Sequence, residues 1–139
     1  MNNRTTPDYI ILLEDNEVFV FGSNTSGIHG VGAAKTALRW GARWGKGEGL
    51  SGQTYALPTR RIKNSQLESL LLMDIANYIT KFIKCAKQHP EKKFLVTEVG
   101  CGYAGFTTND IAPLFQGAVN VENIFLPKSF WKLLKFNAE

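Results

Sequence analysis

Apolar and polar positions change rhythm several times along the chain. Val18-Phe19-Val20-Phe21 is an unbroken run of β-formers that leads into Gly22-Ser23-Asn24. A run that does not alternate predicts a strand buried on both faces, as found inside parallel sheets. Residues 93–99 predict a second buried strand. Shorter runs predict strands over 9–13, over 53–59 with its end at Pro58, and over 121–126. The polar turn Glu14-Asp15-Asn16-Glu17 puts the first two strands into a hairpin or close together.

The helical signals have a different period. Leu67, Leu71, Ile75, Tyr78, Ile79, Phe82 and Ala86 recur at helical spacing and predict one long helix that stops before Pro90. Ser65-Gln66-Leu67-Glu68 fits a capping box for its start. Cys85 falls beside the apolar stripe and reads as core, and His89 sits where it can meet the last carbonyls. A small-residue helix is expected from Val31 to about Arg43. A short one over 109–115 is expected to be capped by Thr107 or Thr108, and a closing one spans 129–136. Residues 60–64 read as a solvated basic connection, and the glycine-dense stretch 41–52 as an ordered loop. Strands alternating with helices predict an α/β fold: a three-layer α/β/α sandwich on a mixed, largely parallel central sheet, in one domain over 1–139.

Composition narrows the class without choosing a function. The chain has 139 residues, 44% apolar and 20% charged, enough for a core without disulfides or metals. Two cysteines form no framework, and no hydrophobic leader or bilayer-length apolar run is present. The expectation is a cytoplasmic protein without membrane contact. The net charge of +4 helps attract anions. The lysines and arginines are dispersed, so nucleic acid ranks last among the partners despite Trp44, Lys46, Arg60, Arg61 and Lys63.

The chemistry gathers at two glycine loops that each follow a buried strand and precede a helix. The first is Gly22-Ser23-Asn24-Thr25-Ser26-Gly27-Ile28-His29-Gly30-Val31-Gly32, and the second Gly100-Cys101-Gly102-Tyr103-Ala104-Gly105-Phe106. Glycines let backbone amides converge on an anion, and parallel sheets bind ligands at the carboxyl ends of their strands. Asn24, Ser23 and His29 are the polar side chains of the first loop. Tyr103 and Phe106 can stack on a sugar or base. The two cradles together predict a ligand with a diphosphate and a sugar. No metal or cofactor is expected.

These motifs resemble those of the macrodomains, the α/β fold that binds ADP-ribose. Val20-Phe21-Gly22-Ser23-Asn24 with Gly27 and Gly30-Val31-Gly32-Ala33-Ala34 has the shape of the family's first motif. Val99 to Phe106 is similar to its second, and Gly52-Gln53-Thr54-Tyr55-Ala56-Leu57-Pro58 to its middle strand. The resemblance implies that Asn24 meets the ribose bearing the scissile bond. It implies that Gly30, Val31 and Gly32 line the first phosphate loop, and Gly22 and Ser23 are further candidate ligand-binding residues. Gly100, Cys101, Gly102, Tyr103, Ala104 and Gly105 would hold the diphosphate, with Phe106 against the distal ribose. The sequence departs from the pattern at Phe21, where the family has a first asparagine. The adenine-reading aspartate has only Asp15 as a counterpart.

Two functions follow from the resemblance. One is a hydrolase that removes ADP-ribose from a small molecule or an ADP-ribosylated macromolecule, with Asn24 positioning ribose and water and His29 or Glu98 as acid or base. The other is a reader that binds ADP-ribose or a related nucleotide and leaves it intact. A third reading, from the residues alone, makes Cys101 a nucleophile with His29 as its base.

Overall fold

A computed structural model describes residues 3–135. The elements are β1 (Glu17–Asn24), α1 (Gly32–Ala37), β2 (Gly49–Ser51), β3 (Thr54–Lys63), β4 (Gln66–Ser69), α2 (Leu72–Gln88), β5 (Lys93–Val96), α3 (Thr108–Ile111), β6 (Ile124–Phe125) and α4 (Lys128–Trp131). Two 3-10 turns, Leu38–Trp40 and Ala112–Ala118, continue α1 and α3. The strands form one mixed sheet in the order β2-β3-β1-β5-β6, with β4 pairing the far end of β3. β3, β1, β5 and β6 run parallel, while β2 and β4 are antiparallel to β3.

β1 explains the layering. Val18 and Val20 point into a large core with Leu57, Phe94 and Val96 of the sheet and Ile75, Ile79, Phe82 and Ala86 of α2. Phe19 and Phe21 point the other way, into a smaller core closed by Ala34 and Ala37 of α1 and by Trp40. The alanines let α1 lie close on two phenylalanines. Phe19 meets Trp40 at 5.1 Å between ring centroids. The result is an α/β sandwich with a mostly parallel sheet, as the buried runs predict.

Several boundaries differ from expectation for identifiable reasons. Residues 9–13 form no strand, because both edges of β1 are already taken by β3 and β5. Ile10 and Leu13 pack on the smaller core, while Tyr9, Ile11 and Leu12 are exposed. β3 does not end at Pro58. β2 stops pairing at Ala56 and β4 starts at Arg60, so the proline, which cannot donate, lies in the gap between them. A bulge on the β1 side then skips Thr59, with Ser23 opposite Pro58 and Asn24 opposite Arg60.

Arg60 to Lys63 are therefore strand rather than a connection. Ser65 caps no helix: Asn64 and Ser65 have φ of 52° and 65° and make the two-residue turn of the β3–β4 hairpin. Leu67 and Leu71 are exposed outside the stripe, and α2 starts at Leu72, with no side-chain cap. Its buried positions and its stop at Gln88 are as expected, and His89 Nδ1 lies 2.9 Å from the Cys85 carbonyl. α1 is shorter than predicted, ending at Ala37, and β5 and β6 are shorter than their apolar runs. Thr107 caps α3 through a capping box with Asp110. The closing helix α4 ends at Trp131, and residue 136 of its predicted span lies outside the described residues. No helix among them is long and apolar enough to cross a membrane.

The hairpin yields a direct test. Ser65→Gly removes the left-handed strain of a side-chain-bearing residue and is expected to stabilise the protein by about 0.5–1 kcal/mol in urea unfolding. A loss of stability would speak for the helix-cap reading.

Candidate functional site

The strand order creates a crevice. From β1 the chain turns towards β3 by way of α1. It then returns by α2 to β5, on the other side of β1, and continues outward to β6. The loops leaving β1 and β5 therefore diverge, and a parallel sheet opens a ligand crevice at such a point. The crevice is narrow at its floor. A Cβ placed on Gly22 would stand 3.5 Å from the Gly100 amide nitrogen and 3.4 Å from Thr59 Oγ1.

The first loop is held by its own asparagine. Asn24 Nδ2 donates to the Ile28 carbonyl at 2.8 Å, and Asn24 Oδ1 accepts from the Ile28 amide at 3.0 Å. This two-way bracket folds residues 24–28 into a fixed bend. The glycine-dense stretch 41–52 is not all loop, since Gly49–Ser51 form β2 against β3, and the part before β2 packs on that bend. Gly45 N donates to the Gly27 carbonyl at 2.8 Å, and Ser23 Oγ donates to the Gly47 carbonyl at 2.5 Å. A Cβ on Gly47 would overlap the Asn24 carbonyl oxygen, and one on Gly27 the backbone of Lys46.

His29 completes this junction rather than the crevice. It is fully buried, between the Phe21 ring at 5.4 Å and the Trp44 ring at 6.1 Å. Its Nε2 lies 2.8 Å from the Arg43 carbonyl and 3.1 Å from the Lys46 carbonyl, so that nitrogen carries the proton and donates. His29 is not among the residues lining the crevice. The expectation of an acid–base histidine is thus replaced by a structural one. Phe21, which departs from the resembling motif, packs in the smaller core beside it.

The second loop offers free amides. Cys101 N, Gly105 N and Phe106 N donate to the carbonyls of Glu98, Gly102 and Gly100. The amides of Gly102, Tyr103 and Ala104 meet no acceptor among the described residues. All three residues line the crevice. Successive free N–H groups in a turn form a concave anion site. Tyr103 reaches across to the first loop: a Cβ on Gly32, where φ is +61°, would stand 2.9 Å from its ring. The Arg60 guanidinium lies over the same ring, 5.6 Å from its centroid.

The crevice has a volume of about 380 Å³, within the range of small-molecule sites. Gly22, Ser23, Asn24, Gly30, Val31, Gly100, Gly102, Tyr103 and Ala104, all candidates from the sequence, line it. Gly32, Cys101, Gly105 and Phe106 do not. Gly32 is covered by Tyr103, while Cys101 and Phe106 pack against the large core. Sequence reasoning missed Thr59, Arg60, Leu67 and Thr97. Arg60 was legible only to a reading that carried β3 through Pro58. A second cavity of about 740 Å³ shares Ala33, Thr97 and Glu98 with the crevice as lining residues. Its walls include Asp8, Tyr9, Ile10, Phe19 and Lys128. Asp15, the expected base-reading carboxylate, lines neither cavity, whereas Asp8 lines the second. Glu98 is exposed, lines both cavities and accepts from Ser129 Oγ.

Cys101 is unsuited to nucleophilic work. Burial raises its pKa to about 11, and Glu98 and Asp110 add to the rise. Its Sγ faces the Val99 carbonyl at 3.6 Å. Among the described residues no group of three or more His, Cys, Asp or Glu side chains could hold a metal ion. Compared with protein-family models, curated proteins and solved structures, the chain matches none.

Two outcomes follow from this geometry. At neutral pH Cys101 holds about a hundredfold less thiolate than an ordinary cysteine, so iodoacetamide should label it slowly until the pH nears 11. Fast labelling of the folded protein at neutral pH would contradict the buried thiol. Gly47→Ala should cost about 2–4 kcal/mol in urea unfolding, because the added methyl overlaps the Asn24 carbonyl. A change under about 0.5 kcal/mol would show that stretch 41–52 does not pack as described.

Proposed function

We propose that the crevice binds ADP-ribose or a closely related nucleotide-diphosphate-sugar, as a macrodomain-like site. The observation that carries this reading is the run of amides without acceptors at Gly102, Tyr103 and Ala104, in a crevice that Gly30 and Val31 also line. A diphosphate supplies the acceptors those amides lack. The adjoining cavity offers room and apolar walls for a base, and Asp8 supplies a carboxylate there for an exocyclic amine.

The placement of His29 favours binding without turnover, since it lies outside the crevice lining with its Nε2 held by the Arg43 and Lys46 carbonyls. A hydrolytic reading keeps one specific observation in its favour: the Glu98 carboxylate lines the crevice that Asn24 also lines. In that reading Glu98 would take a proton from an attacking water. Asn24 acts in both readings by holding Ile28, so it is a positioning residue.

Gly102→Glu tests the site without threatening the fold, because a Cβ there meets no atom within 4 Å. The introduced carboxylate competes for the anion site, and calorimetry should show ADP-ribose affinity falling by about a hundredfold or more. Unchanged affinity would remove the diphosphate from this loop. Prolonged incubation of an ADP-ribosylated peptide with wild type separates the two readings: intact peptide supports the binding module. Release of ADP-ribose that is lost in Glu98→Gln supports hydrolysis.

A further inference from the structure

The net charge of +4 has one origin along the chain. Lys35, Arg39, Arg43 and Lys46 are the cations of residues 18–47, a stretch without Asp or Glu, and the remaining cations and carboxylates are equal in number. All of these cations are exposed. The ion pair among the described residues joins Arg61 to Glu68, so none of them is neutralised there. Lys46 Nζ donates to the Leu50 carbonyl. The fold draws the group together. Lys35 and Arg39 stand four residues apart along α1 and the 3-10 turn that continues it. The chain then bends at Gly41, where φ is +108°, and Ala42 N returns to the Ala37 carbonyl at 3.2 Å. The carbonyls of Arg43 and Lys46 meet on one nitrogen, His29 Nε2.

Trp44 lies between those two cations and is 62% exposed. Its ring is fixed at the edge: it meets the buried His29 ring at an interplanar angle of 87°, and a Cβ on Gly30 would stand 4.0 Å from its Cη2. A fixed, exposed indole among unpaired cations is the arrangement that stacks a base while the flanking charges hold the phosphate backbone. An acidic protein surface answers the cations but leaves the indole without a stacking partner. Lys35, Arg39, Arg43, Trp44 and Lys46 line neither the crevice nor the larger cavity, so this surface is separate from both. We infer that α1 and the turn at Trp44 bind a single-stranded nucleic acid, with a base on Trp44 and phosphates on Arg39, Arg43 and Lys46. The inference stands independently of the ADP-ribose reading.

Fluorescence anisotropy with labelled short oligothymidylate and oligouridylate tests it, beside a polyglutamate peptide of equal length. Wild type should bind at least one strand, and log affinity should fall against log salt with a slope of about −2 to −3, as for three or four neutralised phosphates. The tighter strand identifies DNA or RNA as the source. Trp44→Ala should weaken strand binding about tenfold, and Trp44→Phe, which keeps a ring, should weaken it less. Arg39→Gln, at an exposed position away from the His29 junction, should make the salt slope shallower by about 0.7 and leave ADP-ribose binding unchanged. No strand binding by wild type, an affinity unmoved by Trp44→Ala, or a slope unmoved by Arg39→Gln would overturn the inference and leave the crevice reading standing. Polyglutamate bound as tightly as the strands would overturn it in favour of an acidic protein partner.

Discussion

β1 is buried on both faces and flanked by parallel strands on both edges, and the rest of the molecule follows from that placement. Its valines need one core and its phenylalanines another, so helices must cover both faces. Its edges are filled by β3 and β5, so the segment before it, with its own apolar run, has no ladder to join and becomes a wall of the larger cavity. The chain leaves β1 and β5 in opposite directions, which opens the crevice between them.

The crevice depends on loop packing as much as on the sheet. The first glycine loop is bracketed by Asn24, underpinned by Ser23 and His29, and pressed on the stretch that contains Gly45 and Gly47. Polar side chains that look catalytic in sequence thus satisfy backbone groups that would otherwise be buried without partners. The second loop leaves the amides of Gly102, Tyr103 and Ala104 without acceptors among the described residues. Its free amides and its aromatic residue, with Arg60 above, face the open space. Loop amides without acceptors around one crevice suit the holding of an anion.

Much of this was legible in the residues. Unbroken β-branched and aromatic runs marked β1 and β5, helical spacing marked α2, and glycine density after a strand marked both loops. What escaped involved competition between local and distant partners. Ser65 and Glu68 satisfy the capping-box pattern, yet Glu68 pairs with Arg61 of β3, and Asn64-Ser65 takes the left-handed turn that a hairpin needs. Pro58 looked like a strand end because the gap between β2 and β4 that accommodates it is a property of the assembled sheet. His29 looked chemical because nothing local announces the carbonyls of Arg43 and Lys46 that bind it.

The central claim is that the free amides of Gly102, Tyr103 and Ala104 hold the diphosphate of the ligand. Amide NMR during titration with ADP-ribose reads those groups individually. The account predicts that these three resonances, with those of Gly30 and Val31, move downfield and saturate together as each amide gains an anionic acceptor. Saturating shifts confined to other parts of the molecule, with these amides unmoved, would contradict it.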